Sequence, residues 1–115
     1  MKVLICGGHD YYREDTIVRT LDEIHAETPI TCLIEGGANG ADTLAYNWAK
    51  ARGVPDKSFP ADWNKHGKNA GPKRNQVMLK QGAPDLVVAF PGGASTAHMV
   101  KLARSSGVRV MTVAD

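Results

Sequence analysis

The residues of this chain best suited to chemistry are a glycine pair and two hydroxyls that follow an apolar run. The run Leu86–Phe90 leads into a Pro-Gly-Gly turn, and a helix-like segment begins directly after that turn. Glycine lets the backbone approach a ligand closely, and the amides at a helix N-terminus attract an anion with roughly half a positive charge. The stretch therefore predicts a phosphate site. Its expected contacts are Pro91, Gly92, Gly93, Ser95 and Thr96.

Two further glycine pairs follow the first and second apolar runs, in the turns CGGHDYY and EGGANGAD. In an open parallel sheet the carboxyl ends of the strands lie at one edge, and ligands bind in the crevice there. Neither turn has the G-x-G-x-x-G fingerprint of dinucleotide dehydrogenases, and the chain has no Walker A lysine motif. These pairs together favour a phosphate-bearing ligand. Its expected contacts in the two turns are Gly7, Gly8, His9, Tyr11, Gly36, Gly37, Asn39, Gly40 and Asp42.

The segment from Trp63 to Pro84 contains five basic residues and no acidic residue. It is either a solvated surface or one wall of an anion site. Arg74, which opens a predicted helix after Pro72, is the strongest candidate for a phosphate ligand because its planar fork matches phosphate oxygens. Trp63 and the Tyr11-Tyr12 pair are the aromatic residues best suited to stack on a base, an interaction that contributes roughly 1–3 kcal/mol.

Glu35 and Asp42 are the carboxylates nearest to the predicted site. Asp42 either caps its helix or binds a ribose hydroxyl, and Glu35 ends a predicted strand. Both are candidates for general acid or base chemistry. The His9-Asp10 pair is interpreted as a ligand contact rather than a catalytic pair. The four histidines are scattered without metal-ligand spacing, so neither a metal site nor a separate cofactor is predicted.

Apolar and helical patterns alternate along the chain. Largely unalternated runs of apolar residues predict buried parallel strands, with a weaker strand near Lys57–Phe59. Helical patterns fill the gaps, and Gly53, Gly82 and Gly107 are predicted to end helices in the left-handed conformation. The order predicts an α/β, Rossmann-like three-layer sandwich with a mostly parallel sheet of about five strands and helices on both faces. The stronger predicted strands are Val3–Cys6, Ile30–Ile34, Leu86–Phe90 and Val108–Val113.

Length and composition narrow the class of protein. The 115 residues predict one domain, 1–115, with 43% apolar and 23% charged residues, as in soluble globular proteins. Because no apolar run approaches the roughly 20 residues of a membrane span or resembles a signal peptide, a cytoplasmic location in a bacterial or phage-infected cell is predicted. Cys6 and Cys32 lie in apolar runs and are predicted to be buried, reduced thiols. The net charge of +2 does not by itself indicate a nucleic-acid partner.

Three motifs resemble the SLOG superfamily of Smf/DprA and LOG proteins, in its small YspA-like branch. They are GGANGAD at 36–42, GPKRNQVML at 71–79 and PDLVVAFPGGAST at 84–96. The resemblance covers almost the whole chain. It implies a Rossmann-like fold that binds nucleotides or molecules derived from them. It also implies pairing of subunits through helices, so that a homodimer or homotetramer is expected.

LOG enzymes cleave the N-glycosidic bond of nucleoside monophosphates, and the resemblance to them is incomplete. Their Arg-Lys pair corresponds to Arg74 and Asn75. Their P-G-G-x-G-T-x-x-E signature is matched at Pro91, Gly92, Gly93 and Thr96, but Ser95 replaces the glycine and Met99 replaces the glutamate. Methionine can neither accept a proton nor orient water. The resemblance therefore implies a phosphate cradle without the LOG catalytic carboxylate.

Three functions are consistent with this pattern. The favoured one is a sensor or sequestering module for a nucleotide-derived signal of the ADP-ribose or cyclic ADP-ribose type, acting without catalysis. The second is a LOG-like phosphoribohydrolase that uses Glu35 or Asp42 instead of the missing glutamate. The third is a single-stranded nucleic-acid binder like DprA, which the small net charge and the few aromatic residues disfavour.

Overall fold

Apolar runs form a parallel sheet in the computed structural model, which describes residues 1–114. The strand order is β3-β2-β1-β4-β5, and every neighbouring pair is parallel. The prediction of a Rossmann-like sandwich is thereby confirmed, and the weak strand predicted near Lys57 is β3. The strands are β1 (Lys2–Cys6), β2 (Cys32–Glu35), β3 (Asp56–Ser58), β4 (Leu86–Ala89) and β5 (Arg109–Thr112).

Helices cover both faces of this sheet. Alternate residues of β1 point to opposite sides, so that Val3 and Ile5 join one apolar cluster and Leu4 and Cys6 join the other. The first cluster also contains the apolar faces of α1 and α2, and the second contains those of α4 and α5. The helices are α1 (Glu14–Glu27), α2 (Ala41–Arg52), α3 (Trp63–His66), α4 (Ala70–Gly82) and α5 (Ala94–Ser105), with a 3-10 turn at Gly67–Asn69.

Trp48 belongs to the apolar cluster on the α1/α2 side of the sheet. Its side chain is 2% exposed, and its indole Nε1 donates a hydrogen bond of 2.9 Å to Asp22 Oδ1. Arg52 also donates to the Asp22 carboxylate, at 2.8 Å from Nη2. Trp48 is therefore a core residue, since its one polar group is paired within the chain.

Chain order places a switch point between two central strands. From β1 the chain proceeds outward to β2 and β3, and then crosses β1 to add β4 and β5 on the other side. The loops after β1 and β4 therefore leave in opposite directions. Ligand crevices of open α/β sheets form at such a point, beyond the carboxyl ends of the strands.

Two predicted helix ends are confirmed and one is wrong. Gly53 and Gly107 have φ values of +67° and +77°, in the left-handed region. Gly82 instead remains in α4, and Ala83 adopts the left-handed conformation with a φ of +47°. A Cβ atom on Gly82 would lie 3.1 Å from the Ile34 side chain, so this glycine permits close packing of the helix on the sheet.

Residues 63–69, between β3 and α4, form α3 and the 3-10 turn, because the Asp62 carboxylate accepts the Lys65 N–H at 3.0 Å and caps α3. Cys6 is buried as expected, but Cys32 is only partly buried because it lies at the start of β2. Within residues 1–114, none of the helices has the length and apolar character needed to span a bilayer.

Candidate functional site

A cleft of about 1020 Å³ lies at the carboxyl edge of the sheet, at the switch point between β1 and β4. The loops after β1, β2 and β4 line it together with residues of α2, α3 and α4 and the first turn of α5. The structure thus gathers at one cleft most of the residues that the sequence placed in a ligand site. These are Gly7, Gly8, His9, Tyr11, Gly37, Asn39, Asp42, Trp63, Arg74, Asn75, Pro91, Gly92, Gly93, Ser95 and Thr96.

Three of the predicted site residues do not line the cleft. Glu35 is 2% exposed, and its Oε1 accepts the Gly37 N–H, so the carboxylate shapes the β2 loop from below. A Cβ atom on Gly36 would overlap the Arg74 guanidinium, and one on Gly40 would overlap the Gly8 carbonyl. The interpretation of Glu35 as an acid or base facing the ligand is not supported, because its carboxylate is enclosed by protein.

The sequence interpretation did not place several lining residues in the site. Ile5 and Cys6 form the floor because they end the central strand β1, and Met78 lies one helical turn after Arg74 on α4. Strand order and helical spacing were the available signals for these residues. Burial raises the pKa of the Cys6 thiol to about 12, so it remains protonated and is not a nucleophile at neutral pH. The remaining lining residues are Asp10, Ala38 and Ala94.

Gly8 and Gly92 are required chiefly because the β1 and β4 loops pack against each other, and Gly7 is required because α2 packs against the β1 loop. Gly8 N–H donates to the Pro91 carbonyl at 2.9 Å. A Cβ atom on Gly92 would lie 2.6 Å from the Gly8 nitrogen, and one on Gly7 would lie 2.6 Å from the Ala41 Cβ. The expectation that Gly92 serves ligand approach alone is therefore too narrow, since a side chain there would separate the two loops.

The N-terminus of α5 opens into the cleft. Its capping residue, Gly93, makes no side-chain cap, and the first turn contains no acidic residue. The first intrahelical bond is donated by Ala97 to the Gly93 carbonyl, at 3.0 Å, so the preceding amides have no acceptor within the helix. A Cβ atom on Gly93 would have no neighbour within 4 Å. This end of α5 combines unpaired donors, the positive end of the helix dipole and free space.

Arg74 crosses the cleft wall from α4 toward α5 and the β2 loop. Its Nη1 donates to the Gly36 carbonyl at 2.7 Å, its Nη2 to Ser95 Oγ at 3.3 Å and its Nε to Asn75 Oδ1 at 3.0 Å. A guanidinium has five N–H groups, so two remain for a ligand. The positive charge is therefore held beside the first turn of α5.

Asp42 is the buried one of the two carboxylates that line the cleft, and Asp10 is the exposed one. It lies in the first turn of α2, is 6% exposed and accepts the Ala38 N–H at 3.3 Å. Burial is the largest cause that raises the pKa of Asp42 to about 7, and the Glu35 carboxylate adds to it, while the Ala38 amide and Arg74 oppose it. Burial and the neighbouring carboxylates Glu35 and Asp42 also raise the pKa of Asp56 to about 7. At neutral pH, Asp42 is thus divided between its neutral and charged forms.

The aromatic residues differ in their availability to a ligand. Trp63 is 61% exposed and lines the cleft, so its indole is accessible for stacking. Tyr11 also lines the cleft but is 6% exposed, and its ring packs on Phe90 with centroids 5.7 Å apart. Tyr12 is exposed outside the cleft lining. Among the tryptophan, tyrosine and phenylalanine residues of 1–114, only Trp63 therefore combines an accessible ring with a position at the site.

Comparison with known proteins places this chain in a family. The sequence model of the YspA, cpYpsA-related SLOG family (YAcAr) matches residues 1–66. A curated relative, the Gene 61 protein of Mycobacterium phage D29, is 36% identical over 122 residues, which cover 99% of this chain and 97% of that protein. The chain belongs to the YspA, cpYpsA-related SLOG family.

Solved structures share the SLOG-type fold at low sequence identity. The DNA processing protein A (DprA) of Streptococcus pneumoniae superposes with a TM-score of 0.80 at 14% identity, over 99% of this chain but 50% of that one. The protein TM1055 gives a TM-score of 0.74 at 19% identity, over 95% and 71% of the two chains. The Moco carrier protein of Chlamydomonas reinhardtii gives 0.64 at 18%, over 97% and 75%. The chain spans about half of DprA, and these likenesses establish the fold alone.

Met99 shows how this SLOG chain differs from the LOG pattern. The residue is fully buried and packs in the α4/α5 cluster with Leu4, Ile34 and Val87. It does not line the cleft. Burying a methionine side chain stabilises a fold by roughly 1.5–3 kcal/mol. The position that carries the catalytic glutamate in the LOG signature is thus part of the apolar core in this chain.

Proposed function

We propose that the cleft binds a small nucleotide-derived molecule and holds its phosphate at the N-terminus of α5. One observation carries this proposal: the α5 amides that have no acceptor within the helix and the Arg74 guanidinium lie together at one wall of the cleft. Backbone amides, a helix dipole and a bidentate cation are the donors that proteins use for phosphate groups. No acidic side chain lies in that turn to compete with the ligand.

The volume of the cleft suits a small-molecule ligand. Ligand pockets usually measure about 300–1,000 Å³, and this cleft measures about 1020 Å³. A phosphate on α5 leaves the exposed ring of Trp63 available to stack on a base at the same cleft. The ligand class we propose is a phosphate-bearing ribonucleotide derivative of the ADP-ribose or cyclic ADP-ribose type. The protein would act inside the bacterial or phage-infected cell as a sensor of this molecule or as a sequestering module.

Binding without cleavage is favoured by the packing of Met99. The LOG-type general acid and base is missing, and its position faces the core rather than the ligand. Removal of a positioned general acid or base typically lowers a rate by 10²–10⁴-fold. We therefore propose that the bound molecule leaves the cleft intact.

A second candidate function rests on Asp42. This carboxylate lines the cleft and has a pKa of about 7, which suits a group that exchanges protons at neutral pH. If the chain does cleave an N-glycosidic bond, Asp42 rather than Glu35 is the group placed to assist. Asp42→Asn separates the two functions, because it removes proton exchange and keeps the side-chain volume.

The proposal is tested first by native mass spectrometry of the purified protein, and then by calorimetric titration with ADP-ribose and AMP. We expect a co-purified nucleotide-sized mass and a tenfold or greater loss of affinity in Arg74→Ala, since a charged hydrogen-bond donor is removed. Arg104→Ala is the matched control, because this exposed arginine lies in the last turn of α5. Equal affinities in the wild type and Arg74→Ala would contradict the site. Binding of single-stranded oligonucleotides in preference to both nucleotides would favour the DprA-like alternative.

Cleavage is tested by incubating AMP and ADP-ribose with stoichiometric protein and separating the products by chromatography. We expect the ligands to be recovered intact after hours. Release of free base or ribose phosphate by the wild type but not by Asp42→Asn would replace binding with catalysis as the function.

A homodimer or homotetramer also remains our proposal, and Val77 on α4, which is 44% exposed, is a candidate contact. Mass photometry measures that state directly.

A further inference from the structure

A chain of hydrogen bonds connects His98 on α5 to Arg74 on α4. The link is Asn75, which is 2% exposed. Its Nδ2 donates to the Ser95 carbonyl at 3.0 Å and lies 3.1 Å from His98 Nδ1, while its Oδ1 accepts the Arg74 Nε–H at 3.0 Å. Every N–H group of the Asn75 amide therefore has a partner within this chain of bonds.

The chemistry of these atoms fixes the state of each partner. The amide nitrogen of Asn75 can only donate, so His98 Nδ1 must be the unprotonated ring nitrogen and carry the accepting lone pair. A flipped Asn75 amide would bring its oxygen against the Ser95 carbonyl and its NH₂ group against the Arg74 Nε–H. Both contacts would be repulsive. His98 and Ser95 on α5 therefore set one orientation of Asn75.

This orientation restricts the Arg74 side chain. Adjacent residues of a helix do not normally face each other, so the bond from Arg74 to Asn75 requires the guanidinium to turn toward α5. Once Nε is held by Asn75, Nη1 reaches Gly36 and Nη2 reaches Ser95. An arginine that is ordered before binding loses less side-chain entropy when a ligand arrives.

We propose that His98 and Asn75 are positioning residues that hold the Arg74 guanidinium in its phosphate-binding orientation before the ligand arrives. This inference rests on the function proposed above. It assigns a role to His98, which is partly buried. His98 acts through Arg74 and does not line the cleft itself.

The first test needs no ligand. Solvent exchange of the Arg74 Nε–H is measured by NMR in the free protein, with the resonance assigned by its loss in Arg74→Lys. We expect His98→Leu to increase the exchange rate about tenfold, because it leaves a buried amide N–H without an acceptor and loosens Asn75. His98→Asn should restore slow exchange, since its Oδ1 can accept at the place of Nδ1. Unchanged exchange in His98→Leu would overturn the inference.

The second test is a double-mutant cycle with ADP-ribose as the probe. His98→Leu should weaken binding by up to about tenfold in the wild-type background and have no effect in the Arg74→Ala background. An equal loss in both backgrounds would mean that His98 supports α5 in general, and would also overturn the inference. If the wild type does not bind ADP-ribose or AMP, the proposed function fails, while the exchange measurement still decides the role of His98.

Discussion

The N-termini of α2 and α5 meet at the same cleft but differ in what surrounds them. At α2, the Ala41 N–H donates to the Gly8 carbonyl at 3.1 Å, and Asp42 lies in the first turn. At α5, the first turn has no acidic residue, and a Cβ atom on its capping residue Gly93 would meet nothing within 4 Å. The protein therefore fills one positive helix end with its own acceptors and leaves the other open.

Because of this difference, the two glycine-rich turns have different roles although their sequences are similar. The Gly-rich turn before α2 uses Gly40 to admit the β1 loop, so it forms a wall of the cleft. The turn before α5 places donors where residues 1–114 supply no acceptor, so it forms the anion site that we propose. A helix N-terminus binds an external anion only if its own chain leaves the space and the donors available.

The largest expected effect is on folding and separates the two capping glycines. Gly40 has a φ of +75°, and its Cβ would lie 2.3 Å from the Gly8 carbonyl oxygen. We expect Gly40→Ala to lower the free energy of unfolding by about 2–6 kcal/mol, combining backbone strain with overpacking. Gly93→Ala, the matched control, should change it by less than about 0.5 kcal/mol. Urea denaturation measures both, and equal stabilities would refute the distinction.

The second effect concerns the charge at the α2 terminus. Asp42 has a pKa of about 7 against an ordinary 3.8, so the folded state binds this proton more tightly than the unfolded chain. The contribution of Asp42 to the stability of the wild type should therefore fall as the pH rises from about 4 to about 7 and then level off. Asp42→Asn removes this loss, and its advantage should grow by up to about 4 kcal/mol across that window.

Thermal denaturation at pH 4 and pH 8 checks the pH effect, and Asp22→Asn is a control of opposite sign. Hydrogen bonds from Trp48 and Arg52 lower the pKa of Asp22. Its stabilising contribution is present above the ordinary pKa and is lost as the pH falls through the folded value. Asp22→Asn should therefore cost stability at pH 8 and little in acid. If the stability that Asp42→Asn gains over the wild type did not depend on pH, the Asp42 carboxylate would have to be exposed to solvent.

The third effect is on ligand binding. It is tested by adding one negative charge at the N-terminus of α5 and, in a separate variant, at the N-terminus of α2. Ser95→Asp adds a carboxylate at the open end of α5, within reach of Arg74, where it should replace the ligand phosphate. We expect at least tenfold weaker binding of ADP-ribose with a fold stabilised by about 0.3–1 kcal/mol through the helix dipole. Thr43→Asp, at an exposed position in the first turn of α2, should change affinity much less. Equal losses in the two variants would mean that α5 is not the anion site.

Particular residues show which parts of the fold the sequence could predict. The central strands were predictable because β1, β2 and β4 are covered on both faces and retain continuous apolar runs. The edge strand β3 gave a weak signal because Lys57 and Ser58 are exposed and therefore need not be apolar. The α3 segment lacks apolar periodicity, and its one signal was the Asp62 cap.

The candidate site was predictable in its location but not in its details. Parallel strands bring their carboxyl ends together, so three glycine-rich turns indicated one cleft. Gly40 and Gly93 cannot be told apart in the sequence, because their difference depends on the Gly8 carbonyl, which is distant in the chain. Met99 could have been assigned to the core, since it lies four residues before the buried Ala103 on one face of α5.

The smallest expected effect reports which end of the ligand lies near which helix. A Cβ atom on Gly71 would lie 3.4 Å from Ser95 Oγ and 3.8 Å from Trp63 Cη2, so the indole borders the α5 side of the cleft. If the phosphate binds at α5 and the base stacks on this ring, ADP-ribose should change the tryptophan fluorescence. Trp63→Phe should abolish that change, because the remaining tryptophan, Trp48, is 2% exposed in the opposite core. The affinity should fall by about threefold, since phenylalanine retains part of the 1–3 kcal/mol of stacking. A fluorescence change that persists in Trp63→Phe would instead place the base toward the β1 loop and the N-terminus of α2.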